Sequence, residues 1–228
     1  MSASSLCILN FHGIGTPHEG VDGDEAPYWV TRDRFRAILD LAKGHEAEGG
    51  RVMITFDDGN RSDLDLASPD LRARGMTGSF FVLTGRLDDP RYLSSEDINA
   101  LQADGMTVGL HGRDHVNWRS LDDAGLATET IEARARLSEI AGRPIDTVGI
   151  PFGAYNRRVI GHLKRAGFRE IYTADGGHTS DARRLRHRTS IRSDMTDGTI
   201  NAILSGRDNP ALKLKRGLKA WLKEYVVG

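Results

Sequence analysis

RVMITFDDGNRSDLDLASPDLRARGMTGSFFVL, residues 51–83, decides the fold of this chain. It begins with an apolar run, Val52–Phe56, whose β-branched and aromatic residues suit a buried, pleated strand. Asp57-Asp58-Gly59 interrupts that run. Asp63–Arg74 then has helical period and stops at Gly75, where a left-handed residue ends a helix cheaply. A second apolar run, Gly78–Leu83, follows. Two apolar strands joined by a helix predict a parallel pair buried on both faces.

The alternation extends outward in both directions. Strands are expected at Leu6–Phe11, Met106–Leu110, Thr147–Ile150, Glu170–Thr173 and Thr189–Ile191, and helices at Thr31–Lys43, Ser95–Ala103, Asp122–Ala141 and Asn156–Ala166. Ser94 or Ser95 can cap the helix it precedes, with Glu96 and Asp97 in the first turn. Gly44, Gly105, Gly142 and Gly167 each stand just past a helical stretch, like Gly75. Seven strands in one unit favour closure into a barrel, in which chemistry gathers on loops after the C-terminal strand ends. A motif that carries chemistry should therefore follow a strand.

Bulk properties narrow the field. The chain has 228 residues, enough for one large α/β domain, and shows no internal repeat or linker. A net charge of −1 supplies no global basic field, so nucleic acid is not an expected partner. Cys7 is the sole cysteine, so no internal disulfide forms and no oxidising compartment is demanded. The N-terminus lacks a basic region, Leu6–Phe11 is too short for a signal sequence, and no window is long enough to span a bilayer. The sequence as written predicts a cytoplasmic protein.

Three motifs follow expected strands. Thr55-Phe56-Asp57-Asp58-Gly59 sets two carboxylates side by side, where like charge disfavours joint ionisation. A cation removes that cost and lets one carboxylate ligate while its neighbour acts as base; a plain Asp-Asp-Gly turn is the alternative. His111-Gly112-Arg113-Asp114-His115 spaces two imidazoles to share one face of a helical turn and grip one metal, or else it is a pair of surface histidines. Together they offer a His-His-Asp set with open positions, the form of a catalytic zinc site. Cobalt and nickel suit the same ligands. Gly149-Ile150-Pro151-Phe152-Gly153-Ala154-Tyr155-Asn156 shapes a loop that can aim N–H groups at an oxyanion, although alone it reads as an ordinary strand–turn–helix connection.

In this order, and with Trp118, Leu121 and the helix end Ala166-Gly167-Phe168, the motifs resemble those of the polysaccharide deacetylases: the NodB homology domain, carbohydrate esterase family 4. The likeness runs from about Leu6 to Arg192. It implies a distorted (β/α)7 barrel as a single domain over residues 1–210. It also implies a metal-dependent enzyme that hydrolyses the N-acetyl group of an N-acetylglucosamine-type sugar in a polysaccharide, oligosaccharide or lipid-linked glycan. Asp58, His111 and His115 would hold the metal, and Asp57 would be the general base. Pro151, Phe152 and Gly153 would form the oxyanion and substrate loop.

The chain departs from the family pattern at three points. Position 112 is Gly where the family usually has Ser or Thr, which removes a loop-stabilising hydroxyl. Position 149 is Gly where many members carry an arginine that orients the base; Arg188 is the expected substitute, with Arg192 in reserve. No clear C-terminal Leu-x-x-His supplies the general acid. Asn10-Phe11-His12-Gly13 resembles the Tyr-His segment of a branch that deacetylates biofilm poly-N-acetylglucosamine, so His12 is the expected acid. His178 and His187 are weaker candidates, and Asp175 could orient the acid.

Gly13–Trp29 is a long loop of the kind that is functional or mobile. Its Asp22, Asp24 and Glu25 read as solvated acidic positions rather than a calcium site. Tyr28 and Trp29 fit a sugar-stacking wall or a hydrophobic staple. Residues 211–228 form a second segment, a basic amphipathic helix with Leu214, Leu218, Trp221, Leu222 and Tyr225 on one stripe. It either packs on the barrel or meets an anionic membrane face. Two other readings keep the barrel: an O-acetyl esterase or small-amide amidohydrolase on the same metal site, and a catalytically silent glycan-binding protein.

Overall fold

The computed structural model describes residues 5–21, 23–207 and Lys223. Six strands follow the expected alternation: β1 (Leu6–Phe11), β2 (Val52–Phe56), β3 (Gly78–Leu83), β4 (Thr107–Gly112), β5 (Thr147–Gly149) and β6 (Glu170–Thr173). They lie parallel in the order β6-β5-β4-β3-β2-β1. A seventh stave is split in two. β7 (Leu185–His187) pairs with β6, β8 (Thr189–Ser190) pairs with the far side of β1, and only Arg188 separates them.

One passage of chain thus joins both edges of the sheet and nearly closes it into a barrel. The sequence pointed to Thr189–Ile191 alone for this stave. Leu185–His187 gives no apolar run, because Leu185 stands among Arg183, Arg184 and Arg186.

Strand alternation divides the buried residues into two layers. Cys7, Leu9 and Phe11 of β1 face outward and join Phe35, Ile38 and Leu39 of α1 (Arg32–Ala47) in the large core between sheet and helices. In that layer the Phe56 and Phe80 rings stack at 4.5 Å, and Phe35 meets Phe11 edge-on at 5.0 Å. Burial of each such ring contributes about 1.5–3 kcal/mol. Leu6 and Ile8, the alternate residues of β1, point inward to Phe81 and Tyr172, with Met53 of β2 against them. The next inward positions toward the C-terminal strand ends are polar: Asn10 on β1, then Thr55 and Asp57 along β2. The barrel interior is therefore greasy at its floor and polar at its mouth.

Local sequence sets the helix ends. The Thr31 side chain accepts the Arg34 N–H at the start of α1, and Ser94 forms a capping box with Asp97 at α3 (Ser95–Ala103). Gly44 does not end α1 as expected. It is exposed, and a mid-helix glycine costs only about 1 kcal/mol, so the helix runs on to Ala47 before Gly49 turns left-handed.

The stretch Asp63–Arg74 is a π turn, Asp63–Ala67, leading into α2 (Ser68–Arg72). Asp122–Ala141 is α4 (Asp123–Ala127), a π turn at Thr128–Glu132, and α5 (Ala133–Ala141). α6 (Arg157–Arg165) follows the third motif, and α7 (Asp197–Leu204), which the sequence reading did not place, packs on α1.

The expected helix over 211–228 lies outside the described residues apart from Lys223. No helix among the described residues is long and apolar enough to cross a membrane.

Candidate metal centre and active site

Asp57 and Asp58 leave the end of β2 in different directions and meet different environments. Asp57 continues the inward register and is 3% exposed. Arg188, wholly buried in the barrel seam, forks onto it: Nη1 donates to Oδ1 at 2.7 Å and Nη2 to Oδ2 at 2.8 Å. Asn10 Nδ2 adds a donor to Oδ2 at 2.9 Å. The Asn10 amide is oriented in turn, because its Oδ1 accepts from Thr55 Oγ1 at 2.7 Å and from Arg188 Nη1 at 2.8 Å. Burial alone would raise the Asp57 carboxyl, but the Arg188 charge and the hydrogen bonds it donates pull it well below the ordinary range. Asp57 is an ionised, fixed carboxylate.

Asp58 turns out of register, with φ at 77°. Its Oδ1 is buried and has no hydrogen-bond donor among the described residues. That oxygen faces His111 Nε2 at 3.5 Å and His115 Nε2 at 3.4 Å, and the potential ligand atoms of the three residues lie within 4.8 Å of one another. Tetrahedral ligands about 2.1 Å from a shared ion are about 3.4 Å apart, so the spacing and the orphaned oxygen both fit a cation.

Burial, only partly offset by His12, and the neighbouring Asp57 push the Asp58 carboxyl up to about 6. Burial likewise takes His111 down to about 3, and lowers His115, which keeps both imidazoles neutral and able to ligate. His111 Nδ1 lies 2.9 Å from Gly149 O; as the donor there, it leaves Nε2 free to face Asp58.

The two histidines do not share a helical turn. His111 lies within β4 and His115 in the loop beyond, with Gly112 at φ +100° and His115 at φ +55°. A parallel strand end continued through left-handed residues brings the side chains together where the period of a helix would have done so.

Gly149 packs directly against the site. A Cβ there would already sit 3.2 Å from Asp57 Oδ1, His111 Nδ1 and the Phe81 ring. Arg192, the reserve, pairs with Asp194 and lies over the Tyr28 ring on the surface.

The mouth is lined from three directions. His12 follows β1; its Nδ1 is buried without a partner among the described residues, and its ring lies 4.9 Å from that of Tyr28. Trp29 is buried against Gly13 and His18 and is no sugar platform. Glu25, read from sequence as solvated, reaches within 3.5 Å of His115 Nδ1. From the third motif, Phe152 takes a left-handed φ of 58°, stands 61% exposed and sets its ring 4.3 Å from that of His115. Pro151 and Gly153 are buried beside it.

Asp175 faces another cluster. Its Oδ2 accepts from Tyr155 Oη at 2.6 Å and lies 3.6 Å from His187 Nδ1, and Lys223 Nζ donates to Oδ1 at 2.8 Å. It makes no hydrogen bond to His12 among the described residues. His178 is held by Ser5 and Ile203.

The sequence reading gave no role to Asn10 or Glu25 in this site. Counting β1 by twos aligns Asn10 with the inward face and could have found it. Glu25 arrives through loop geometry and leaves no sequence signal.

Comparison with known proteins gives a consistent picture. The family model described as Polysaccharide deacetylase matches residues 44–171. The Bacillus subtilis (strain 168) protein YxkH is 21% identical over 170 residues, which is 74% of this chain and 61% of YxkH. This chain therefore spans less than two thirds of that relative. Among solved structures, the Streptococcus pyogenes deacetylase PplD aligns with a TM-score of 0.76 at 18% identity, over 89% of this chain and 99% of PplD. IcaB from Ammonifex degensii aligns with a TM-score of 0.72 at 23% identity, over 90% and 98%. At those identities the likeness shows the fold.

Proposed function

Since the chain belongs to the polysaccharide deacetylase family, we propose that it hydrolyses the N-acetyl group of an N-acetylglucosamine-type sugar within a glycan. One observation carries this reading: two adjacent aspartates are treated oppositely. Asp57 is held by Arg188 and Asn10, whereas Asp58 presents to two imidazole nitrogens an oxygen that has no hydrogen-bond donor among the described residues. A base beside a cation site is one arrangement that achieves amide hydrolysis at neutral pH.

Asp58, His111 and His115 would hold a divalent cation, with zinc, cobalt and nickel all matching the ligand types. When bound, such an ion supplies Lewis acidity toward a water and the acyl carbonyl. The residues of the chain do the rest. Asp57 Oδ1 accepts one donor and Oδ2 two, so with about two acceptor positions per oxygen, Oδ1 retains the place for a proton from the attacking water.

Arg188 and Asn10 hold that carboxylate ionised and aimed. The Phe152 N–H in the Pro151–Gly153 loop would stabilise the developing oxyanion. His12 would pass a proton to the departing nitrogen as the carbon–nitrogen bond breaks, leaving acetate and a free amine.

The test is acetate release from N-acetylglucosamine oligomers by metal-stripped and zinc-reconstituted protein, with the free amine measured in parallel. Reconstituted protein should release acetate and amine in equal amounts. Asp57→Asn should keep its metal and lose about 10²–10⁴ of the rate, the usual worth of a positioned base. Equal rates with and without metal, or acetate without amine, would overturn the reading.

A further inference from the structure

The loop that joins His111 to His115 is held on both sides. On one side its carbonyls are used by the end of β3: Thr84 N–H donates to Gly112 O at 3.0 Å and Gly85 N–H to Arg113 O at 2.9 Å. On the other side its N–H groups converge on a single side chain, Glu129. Glu129 Oε2 accepts the Arg113 N–H at 3.0 Å and Oε1 accepts the Asp114 N–H at 3.0 Å. Trp118 Nε1, on a ring buried completely, donates to Oε2 at 3.3 Å.

Glu129 is 4% exposed, and among the described residues no lysine, arginine or histidine pairs with it. A buried carboxylate without a cation is costly unless every lone pair it turns inward has a donor. Here the donors are the backbone of the metal-ligand loop itself and the indole that packs beneath it. Glu129 sits on the π turn Thr128–Glu132, and the extra residue of a π turn re-aims a side chain relative to a regular helix.

Gly112 completes the picture. It is the position at which the sequence departs from the usual Ser or Thr. With φ at +100°, a Cβ there would lie 2.7 Å from Glu129 Oε2 and 3.1 Å from the Trp118 ring. The carboxylate occupies the space that any side chain at position 112 would need. The glycine and the glutamate are one arrangement.

We infer that Glu129 is a positioning residue for the metal centre, holding the loop that sets His111 and His115 at ligand distance from Asp58. This rests on the metal reading of the Asp58, His111 and His115 cluster.

Cobalt(II) is the probe that separates the two claims. Titrating the metal-stripped full chain should give wild-type protein a saturable visible band, which Asp58→Asn abolishes. Glu129→Gln keeps the size of the side chain but sets an NH2 against N–H donors, and Glu129→Ala removes the acceptor.

Both variants should weaken cobalt binding, by about 10- to 100-fold for Ala and less for Gln, and should change the shape of the band. Cooperative unfolding of the metal-free Gln variant shows that the barrel is intact. Wild-type affinity and an unchanged band in both variants would overturn the role of Glu129 while leaving the metal centre standing. Absence of cobalt binding by wild-type protein would remove the centre, and this inference with it.

Discussion

Arg188 grips Asp57 across the seam of the barrel, with Nη1 2.7 Å from Oδ1 and Nη2 2.8 Å from Oδ2, in a fork whose arginine is wholly buried and whose carboxylate is nearly so. The arginine is fixed at its root as well, since its N–H and Nε both donate to Thr173 O at 3.2 Å and its guanidinium lies over the Phe81 ring. The pair closes the sheet and holds the proposed base ready at once.

Replacing Arg188 should therefore damage stability and activity together. Arg188→Met leaves a buried carboxylate unpaired and should cost about 3–5 kcal/mol at neutral pH. Asp57 is held below its ordinary range in the native protein, so its contribution is present above the unfolded value of about 3.9 and fades as pH falls through the folded one. In the variant, burial dominates and the Asp57 value rises. The stability gap should narrow in acid, and the acid limb of the rate profile should move to higher pH. Denaturant unfolding at neutral pH and below about pH 4 checks this; a gap independent of pH would contradict it.

Metal should stabilise the fold, in a way that depends on Asp58. Free zinc at about 1,000 times its dissociation constant adds about 4 kcal/mol. With the metal-free Asp58 carboxyl at about 6, protons compete with the ion below that pH, and affinity should fall about tenfold per pH unit. Calorimetric titration at descending pH measures the slope. Asp58→Asn should show neither the stabilisation nor the slope, and an affinity flat from neutrality down to about pH 5 would count against Asp58 as a ligand.

Asp63 should prove a burden at neutral pH. Both of its oxygens are buried without a hydrogen-bond partner among the described residues, and burial, with Asp58 and Asp57 nearby, raises its carboxyl well above the ordinary range. A raised acid contributes most below its unfolded value and loses that contribution as pH climbs through the folded one. In metal-free protein, Asp63→Asn should then be at least as stable as wild type at neutral pH, with the difference vanishing in acid. A marked loss at neutral pH would show that the carboxylate has a partner it needs.

Phe152 should separate stability from substrate handling. Its left-handed backbone costs about 1–3 kcal/mol, and its ring is 61% exposed, so the fold gains little from it. Phe152→Gly should unfold at the wild-type temperature or slightly above. Removing the ring beside His115 should raise KM for a glycan several-fold more than it lowers kcat. A clear drop in melting temperature would mean that the ring is structural.

The sequence by itself determined the strand–helix alternation, the three motifs and the family they imply, because each is a local pattern: a strand end, an i,i+4 spacing, a glycine after a helix. It also marked Gly112 and Gly149 as departures from that pattern. It misread the conformation of the His111–His115 segment, because that spacing suits a helical turn and nothing nearby announces the left-handed backbone at Gly112 and His115.

The sequence named Arg188 as the answer to Gly149, but only the tertiary structure seats it on Asp57, and only the tertiary structure brings Glu129 to Gly112. Arg188 lies 131 residues from Asp57, and Glu129 is 16 residues from the Arg113 N–H it accepts. Arg188 becomes a neighbour because the split seventh stave pairs with β1, and β1 with β2, whereas Glu129 depends on one π turn re-aiming a side chain. Such contacts depend on how distant segments pack and on the free energy of burying charge, and neither quantity is written in any single stretch of the chain.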